Sequence, residues 1–309
     1  MRALLVVNHK ATTTSGRVRD VLVQALRSQV DLRVVHTERR GHAAALAEQA
    51  AADGLDVVVA LGGDGTVNEV VNGLLAHGVP ATGPALAVVP GGSTNVFARA
   101  LGLPGDWVEA TGVLLEALRA NRYRSIGLGR ADDRYFTFCA GLGLDAEVIS
   151  RVERARHQGD TSSPWLYART LAAQFAFTTK RRTPRITLEQ PGEEPDPNLA
   201  TVIVQNTSPS TYFGTRRIDA CPDASFDRGL DLVALRSLTT PGMSRFLYQL
   251  FVPRAGKGPT GKHVLSWQDL PEFTLLSNEP VAFQLDGDYL GAREKVHFTS
   301  VPCAVRVFC

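Results

Sequence analysis

Five apolar residues, Val57 to Leu61, run without a break into Gly62-Gly63-Asp64-Gly65-Thr66, and a helical pattern opens at once. An apolar β-branched strand that ends in a glycine turn and starts a helix is a unit of a parallel sheet buried on both faces. The unit recurs. Ala85–Val89 ends in Pro90-Gly91-Gly92-Ser93-Thr94-Asn95, with a helix expected over 94–101. Upstream, Ala3–Val7 and Leu32–Val35 read as strands. Val18, Val21, Leu22, Ala25 and Leu26 follow a candidate N-cap, Ser15, at helical spacing. Further helices are expected over 42–52 and 67–75. This alternation predicts an α/β domain with an open parallel sheet over residues 1–125.

From about Tyr123 the texture changes. Tyr135–Ala140, Arg185–Leu188, Thr201–Val204, Leu230–Leu235, Phe273–Leu276, Val281–Leu285 and Val296–Thr299 are short strand-like runs separated by turn signals. They predict a β-rich antiparallel sandwich domain over 126–309, interrupted by helices at 145–157 and 165–178. Glu189–Asn198, with three prolines, reads as an exposed hairpin loop. Length agrees with two domains, since 309 residues exceed what one core usually serves.

Composition narrows the partners. Lys and Arg total 33 against 31 Asp and Glu, which argues against a nucleic acid as the main ligand. Four widely spaced cysteines form neither a disulfide framework nor a zinc pattern, so a reducing, cytoplasmic setting is expected. The longest uncharged stretch, Gly73 to Ala98, is broken by prolines and glycines, so no membrane span is expected.

Both glycine turns lie where open α/β sheets bind ligands, at the carboxyl ends of strands. Glycines let a backbone approach a ligand closely, and N–H groups at a helix start favour anions. Asp64 adds a carboxylate suited to Mg2+ or a ribose hydroxyl. A single Gly-Asp-Gly is commonly just a capped turn; two such strand exits in succession favour a polyphosphate ligand. Neither turn matches the P-loop or the Gly-x-Gly-x-x-Gly dinucleotide pattern.

Gly-Gly-Asp-Gly-Thr-Val-Asn-Glu-Val-Val-Asn-Gly (62–73) and Pro-Gly-Gly-Ser-Thr-Asn-Val-Phe-Ala-Arg-Ala-Leu (90–101) resemble the diacylglycerol kinase catalytic family, which includes soluble bacterial lipid kinases and sphingosine and ceramide kinases. Asn8, Gly41-His42-Ala43, the run Phe138 to Ala146 and Leu285-Asp286-Gly287-Asp288 extend the likeness. NAD kinases share Gly-Gly-Asp-Gly, but the Asn-x-Phe-Ala-Arg segment points to the lipid branch. The resemblance implies a two-domain lipid-kinase/NAD-kinase-like fold that uses ATP and Mg2+. Carried over, Asn8 and Lys10 border the nucleotide, though Lys10 reads equally well as a surface lysine. Thr37 lies at the second strand exit, and Gly62, Gly63, Asp64, Gly65, Thr66, Val67 and Asn68 wrap the phosphates. Ser93, Thr94 and Asn95 add polar contacts. Asp64 is the implied metal ligand, and Asp288 is the implied base toward a lipid hydroxyl; the family places a Glu there. Asp286-Gly287 also reads as a tight hairpin turn.

Three departures stand out against the family pattern. Acids common in relatives are replaced by Val96 and Gly127, leaving Asp64 alone of three. Arg228, in Asp227-Arg228-Gly229, stands where many relatives carry an Asp that holds a structural Mg2+, and its guanidinium is expected to pin that loop instead. The expected activity is ATP-dependent phosphorylation of a lipid hydroxyl, diacylglycerol first. Alternatives are a sphingoid base, ceramide or glycolipid acceptor, a nucleotide- or lipid-binding protein with little catalysis, and, more weakly, NAD. Peripheral membrane contact is expected, and a homodimer is compatible with the resemblance. Two aromatic and basic clusters suit a membrane surface, although for any single residue packing of the helix on the sheet is the commoner reading: Trp165, Tyr167, Phe175 and Phe177 before Lys180-Arg181-Arg182, and Phe246 to Phe251 before Arg254 and Lys257.

Overall fold

A computed structural model describes residues 1–8, 16–157, 185–252 and 257–309. Lys10, Ser15 and the 165–178 segment, including its aromatic cluster, lie outside these, as does Arg254. The chain forms two units, Met1–Gly127 with Cys303–Cys309, and Leu128–Pro302. The division falls two residues beyond the expected 125/126 position. Unlike the expected 126–309 block, the last seven residues group with the first unit.

The first unit alternates strands and helices: β1 (Arg2–Val7), α1 (Gly16–Arg27), β2 (Asp31–His36), α2 (His42–Ala52), β3 (Val57–Gly62), α3 (Asp64–Leu74), β4 (Ala85–Pro90), α4 (Val96–Ala100) and α5 (Trp107–Arg119). The strands pair in parallel in the order β2-β1-β3-β4. β3 and β4 are buried throughout because helices cover both faces, whereas β2, at the edge, is only half covered. The helix α5 was not expected. Its sequence signals are an Asp106 N-cap, whose carboxylate accepts from the Val108 and Glu109 N–H groups, and inward Ala110, Leu114, Ala117 and Leu118. Helices α2 and α3 cross closely at Gly73, where a Cβ would lie 2.1 Å from the Ala44 carbonyl oxygen.

In the second unit, the chain continues through β5 (Tyr123–Ala131), β6 (Arg134–Phe136), β7 (Cys139–Leu142), α6 (Leu144–His157), β8 (Ile186–Glu189), β9 (Asp196–Leu199), β10 (Thr201–Gln205), β11 (Thr211–Phe213), β12 (Arg216–Ile218), β13 (Leu230–Leu235), α7 (Thr240–Phe251), β14 (Val264–Leu270), β15 (Glu272–Leu285) and β16 (Asp288–Phe308). Pairing is antiparallel in the order β14-β13-β10-β7-β15-β16, as the alternating strand runs predicted. The runs 273–276 and 281–285 are one strand, β15, carried through a register shift. The expected 189–198 loop is shorter than predicted: residues 190–195 connect the β8–β9 hairpin, and 196–198 pair as part of β9 despite Pro197. Phe136, Phe273, Phe283 and Phe298 centre the core, with Phe273 and Phe298 stacked at 5.0 Å. The end of β16 completes the first unit: Val307 pairs in parallel with Leu86 of β4, and Phe308 packs edge-on against Tyr123.

Candidate functional site

In the first unit the two glycine turns sit side by side at the ends of β3 and β4. The Gly91 N–H donates to the Gly62 carbonyl at 2.9 Å. A Cβ on Gly92 would lie 2.6 Å from Gly63 Cα, so the turns touch backbone to backbone and admit no side chain between them. The Asn95 side chain clasps its own turn, accepting from the Gly92 N–H and donating to the Gly92 carbonyl, both at 2.8 Å. Asn95 holds the left-handed conformation (φ 50°) that asparagine tolerates well.

Asp64 joins the two turns. Its Oδ2 accepts from the Val96 N–H and its Oδ1 from the Phe97 N–H, each at 3.0 Å, so one carboxylate caps the start of α4. Asn8 donates from Nδ2 to Thr66 Oγ1 at 3.0 Å, tying the β1 exit to the same cluster. The Thr37 N–H donates to the Val7 carbonyl at 2.9 Å, at the neighbouring exit.

The cluster separates into a rim and a frame. Asn8, Gly63, Asp64, Gly65, Gly92, Ser93, Thr94 and Asn95 remain at least partly accessible, whereas Gly62, Thr37, Thr66, Val67 and Asn68 are buried. Val67 and Asn68 are 2% and 1% exposed. Their side chains therefore belong to the helix frame, because the 3.6-residue period turns them inward. Any ligand contact from these two positions is left to the backbone. Val96 is also buried and contributes its N–H to Asp64.

In the second unit, Asp286-Gly287 forms the tip joining β15 to β16, with φ of 48° and 81° as a type I′ turn requires. Leu285 and Asp288 pair across it. Asp286 is buried and staples the turn: Oδ2 accepts from the Thr137 N–H and hydroxyl, and Oδ1 from the Phe138 and Cys139 N–H groups, at 2.7–3.1 Å. Burial pushes its carboxyl up against the pull of these four donors. Gln284 braces the turn from below, accepting from the Gly287 N–H and donating to Asp145 Oδ2 at 2.8 Å. The partly exposed Asp288 carboxylate stands 3.6 Å from the Arg134 guanidinium.

Arg134, Asp145 and Gln284 were not singled out from sequence. Asp145 lies in the Leu-Gly-Leu-Asp-Ala segment and Gln284 beside the Asp-Gly turn, whereas Arg134 lies in neither; only folding pairs Asp145 with Gln284 and Arg134 with Asp288. The partly exposed Arg228 guanidinium is 3.9 Å from the Asp269 carboxylate and donates to the Asp223 carbonyl at 3.4 Å. Among the described residues no group of three His, Cys, Asp or Glu side chains gathers as a metal cage.

With this geometry in hand, likeness to known proteins can be placed on it. A family model described as the diacylglycerol kinase catalytic domain matches residues 2–131. Residues 2–131 are thus similar to that family's catalytic domain. The match contains both glycine turns, Asp64 and the Asn95 clasp. A diacylglycerol kinase from Bacillus subtilis (strain 168) is 28% identical over 261 residues, covering 81% of this chain and 77% of the relative. One from Staphylococcus haemolyticus is 36% identical over 129 residues, covering 42% of this chain and 37% of that relative, so the alignment takes in well under half of the staphylococcal protein. A crystal structure of a diacylglycerol kinase from Bacillus anthracis superposes with a TM-score of 0.76 over 99% of this chain and 96% of that one. At 20% identity, that likeness establishes the shared fold. No helix among the described residues is long and apolar enough to cross a membrane.

Proposed function

We propose that the chain is an ATP-dependent lipid kinase that phosphorylates a lipid hydroxyl, with diacylglycerol as the acceptor and phosphatidic acid as the product. The observation that carries this reading is the pair of glycine turns packed Cα to Cα and clipped by Asp64, inside the domain matched to the diacylglycerol kinase family. Positioning and charge stabilisation dominate phosphoryl transfer, and a rigid, side-chain-free cradle supplies the first of these.

The donor set is consistent with Mg2+-ATP. Mg2+ is ordinarily held by one or two carboxylates together with phosphate oxygens and waters. Each Asp64 oxygen accepts a backbone N–H, and a carboxylate is a ligand type suited to Mg2+. When bound, Mg2+-ATP supplies the transferable phosphoryl group and neutralises its developing charge. Gly63, Gly65 and Gly92 let the backbone approach phosphate oxygens, and Ser93 and Thr94 offer hydroxyl donors. Asp288 accepts the proton of the lipid hydroxyl at its carboxylate, while Arg134 and the stapled turn hold that carboxylate in place. Aspartate is one methylene shorter than the family's Glu, so this rigid turn must present the backbone closer to the acceptor.

Asp288→Asn keeps the size and removes the base. Turnover with labelled ATP and detergent-dispersed diacylglycerol should fall about 10²- to 10⁴-fold, with ATP affinity retained. Near-normal turnover would refute the assignment. Two observations favour a second reading, a nucleotide-binding protein with weak catalysis: the valine at position 96 and the absence of an acid cluster among the described residues. ATP binding without a phosphorylated product from any lipid in a mixed extract would select it.

A further inference from the structure

The second unit presents an aromatic and basic face that the phosphoryl-transfer reading does not use. Helix α7 buries Met243, Phe246 and Leu250 against the unit's core, a stripe at i, i+3 and i+7. Its opposite side is unusual. The exposed residues include Arg245, Tyr248 and Val252, and Tyr248, at 62%, is more exposed than any other large hydrophobic side chain described. The two-stranded β11–β12 hairpin reaches the same helix end, where Phe213, itself 37% exposed, packs edge-on against Phe251 at 5.5 Å. A two-stranded hairpin is marginal by itself and needs such an anchor.

The helix and its flanking sequence carry only cations, and acids come from neighbouring segments, as where Arg236 pairs with Asp196. Residues 232–268 contain five Lys and Arg and no Asp or Glu, in a protein whose total charge is only +2. Arg216 and Arg217 follow the hairpin tip, exposed; Arg217 also pairs with Asp219. The 257–263 loop brings Lys257 and Lys262 alongside α7. It is held there by the Thr260 N–H donating to Gln249 Oε1 at 2.9 Å and by Arg245 Nε donating to the Thr260 carbonyl. An acid-free helix with tyrosine and valine outward, ringed by cations, is the composition of a surface that lies on lipid headgroups.

We propose that the outer face of α7 and the tip of the β11–β12 hairpin form the docking surface for an anionic bilayer. Tyr248, Val252 and Phe213 enter the headgroup layer, while Arg216, Arg245, Lys257 and Lys262 meet lipid phosphates. The proposal deepens the lipid-kinase reading by naming the surface that meets the membrane, and rests on that reading for its purpose.

Sedimentation with vesicles of phosphatidylglycerol and phosphatidylcholine, without ATP, tests it on the full chain. Wild-type protein should bind these vesicles, bind pure phosphatidylcholine far less, and release as salt shortens the screening length. Each Lys or Arg near an anionic surface is worth about fivefold in affinity, so Lys262→Glu, a change of two charges at an exposed side chain, should weaken binding roughly 30-fold. The Tyr248→Ser/Val252→Ser double variant should lose about tenfold or more. These side chains are exposed, so thermal unfolding should not change. Phosphorylation of detergent-dispersed diacylglycerol should also persist in the variants; its absence in the wild type would instead count against the kinase reading alone. Wild-type indifference to anionic vesicles, or variants that bind as tightly as wild type, would overturn the docking surface. So would loss of self-association in the variants without any vesicle binding, which would assign the face to a second copy of the chain.

Discussion

Asp64 and Asp286 show how much one carboxylate organises here. Each accepts backbone N–H groups from a neighbouring segment, Asp64 from Val96 and Phe97, Asp286 from Thr137, Phe138 and Cys139. Leaving a buried donor unmade costs about 1–3 kcal/mol, so each aspartate is worth several times a surface charge. Asp145 behaves differently. Burial pushes its carboxyl above the ordinary range and Gln284 opposes that only in part. A raised folded-state value means the folded chain keeps a proton that the unfolded chain has already released. That contribution is complete below the unfolded value and is lost as pH rises through the folded one. Asp145→Asn mimics the protonated form, so its denaturant midpoint should vary less than wild type across mildly acidic to neutral pH. Parallel pH profiles for the two proteins would show that Asp145 titrates normally.

Among elements, the contact between the two glycine turns decides the geometry of the proposed phosphate cradle. Gly92→Ala places a methyl 2.6 Å from Gly63 Cα, a distance real Cβ atoms do not adopt. The turns must separate, at a cost of about 1–3 kcal/mol in unfolding free energy. If the turns hold phosphate as proposed, ATP affinity, read by calorimetric titration, should fall by about tenfold or more, because their backbone N–H groups move with the turn. Retained affinity would remove Gly92 from the cradle. The same scale explains which readings succeeded. Strands β3 and β4 and the helices after them were legible because a continuous apolar run and a glycine turn are local signals. Helix α7 was not read as a helix, although Thr239, Pro241 and the 243/246/250 spacing mark it. Its aromatic outer residues obscured the inward stripe. Val67 and Asn68 look like part of the ligand loop in sequence; the rotation of α3 puts their side chains underneath it.

For the molecule as a whole, the return of the chain end to the first unit matters most. Ala304, Val305, Val307 and Phe308 are buried, and Val307 extends the parallel sheet beside β4. Arg306 stacks over Tyr123 at 5.1 Å and donates to the Gly83 carbonyl. A chain ended at Pro302 loses two valines and a phenylalanine from that core, roughly 5 kcal/mol of burial by area, against a typical total stability of about 5–15 kcal/mol. Its thermal unfolding, followed by circular dichroism, should show the first unit destabilised or unfolded; an unchanged midpoint would mean that the strand is dispensable. Nothing within 303–309 announces this placement, since a short apolar run pairs equally well with either unit. Local pattern was sufficient to read the parallel α/β start, the antiparallel remainder, the glycine turns and the Asp-Gly hairpin, because strand periodicity, turn chemistry and helix starts depend on neighbours in the chain. The Asp64 clip, the Asp286 staple, the Arg134–Asp288 pair and the strand shared with β4 join residues tens to hundreds of positions apart. Such contacts exist only once packing has brought those segments together, so tertiary structure alone decides them.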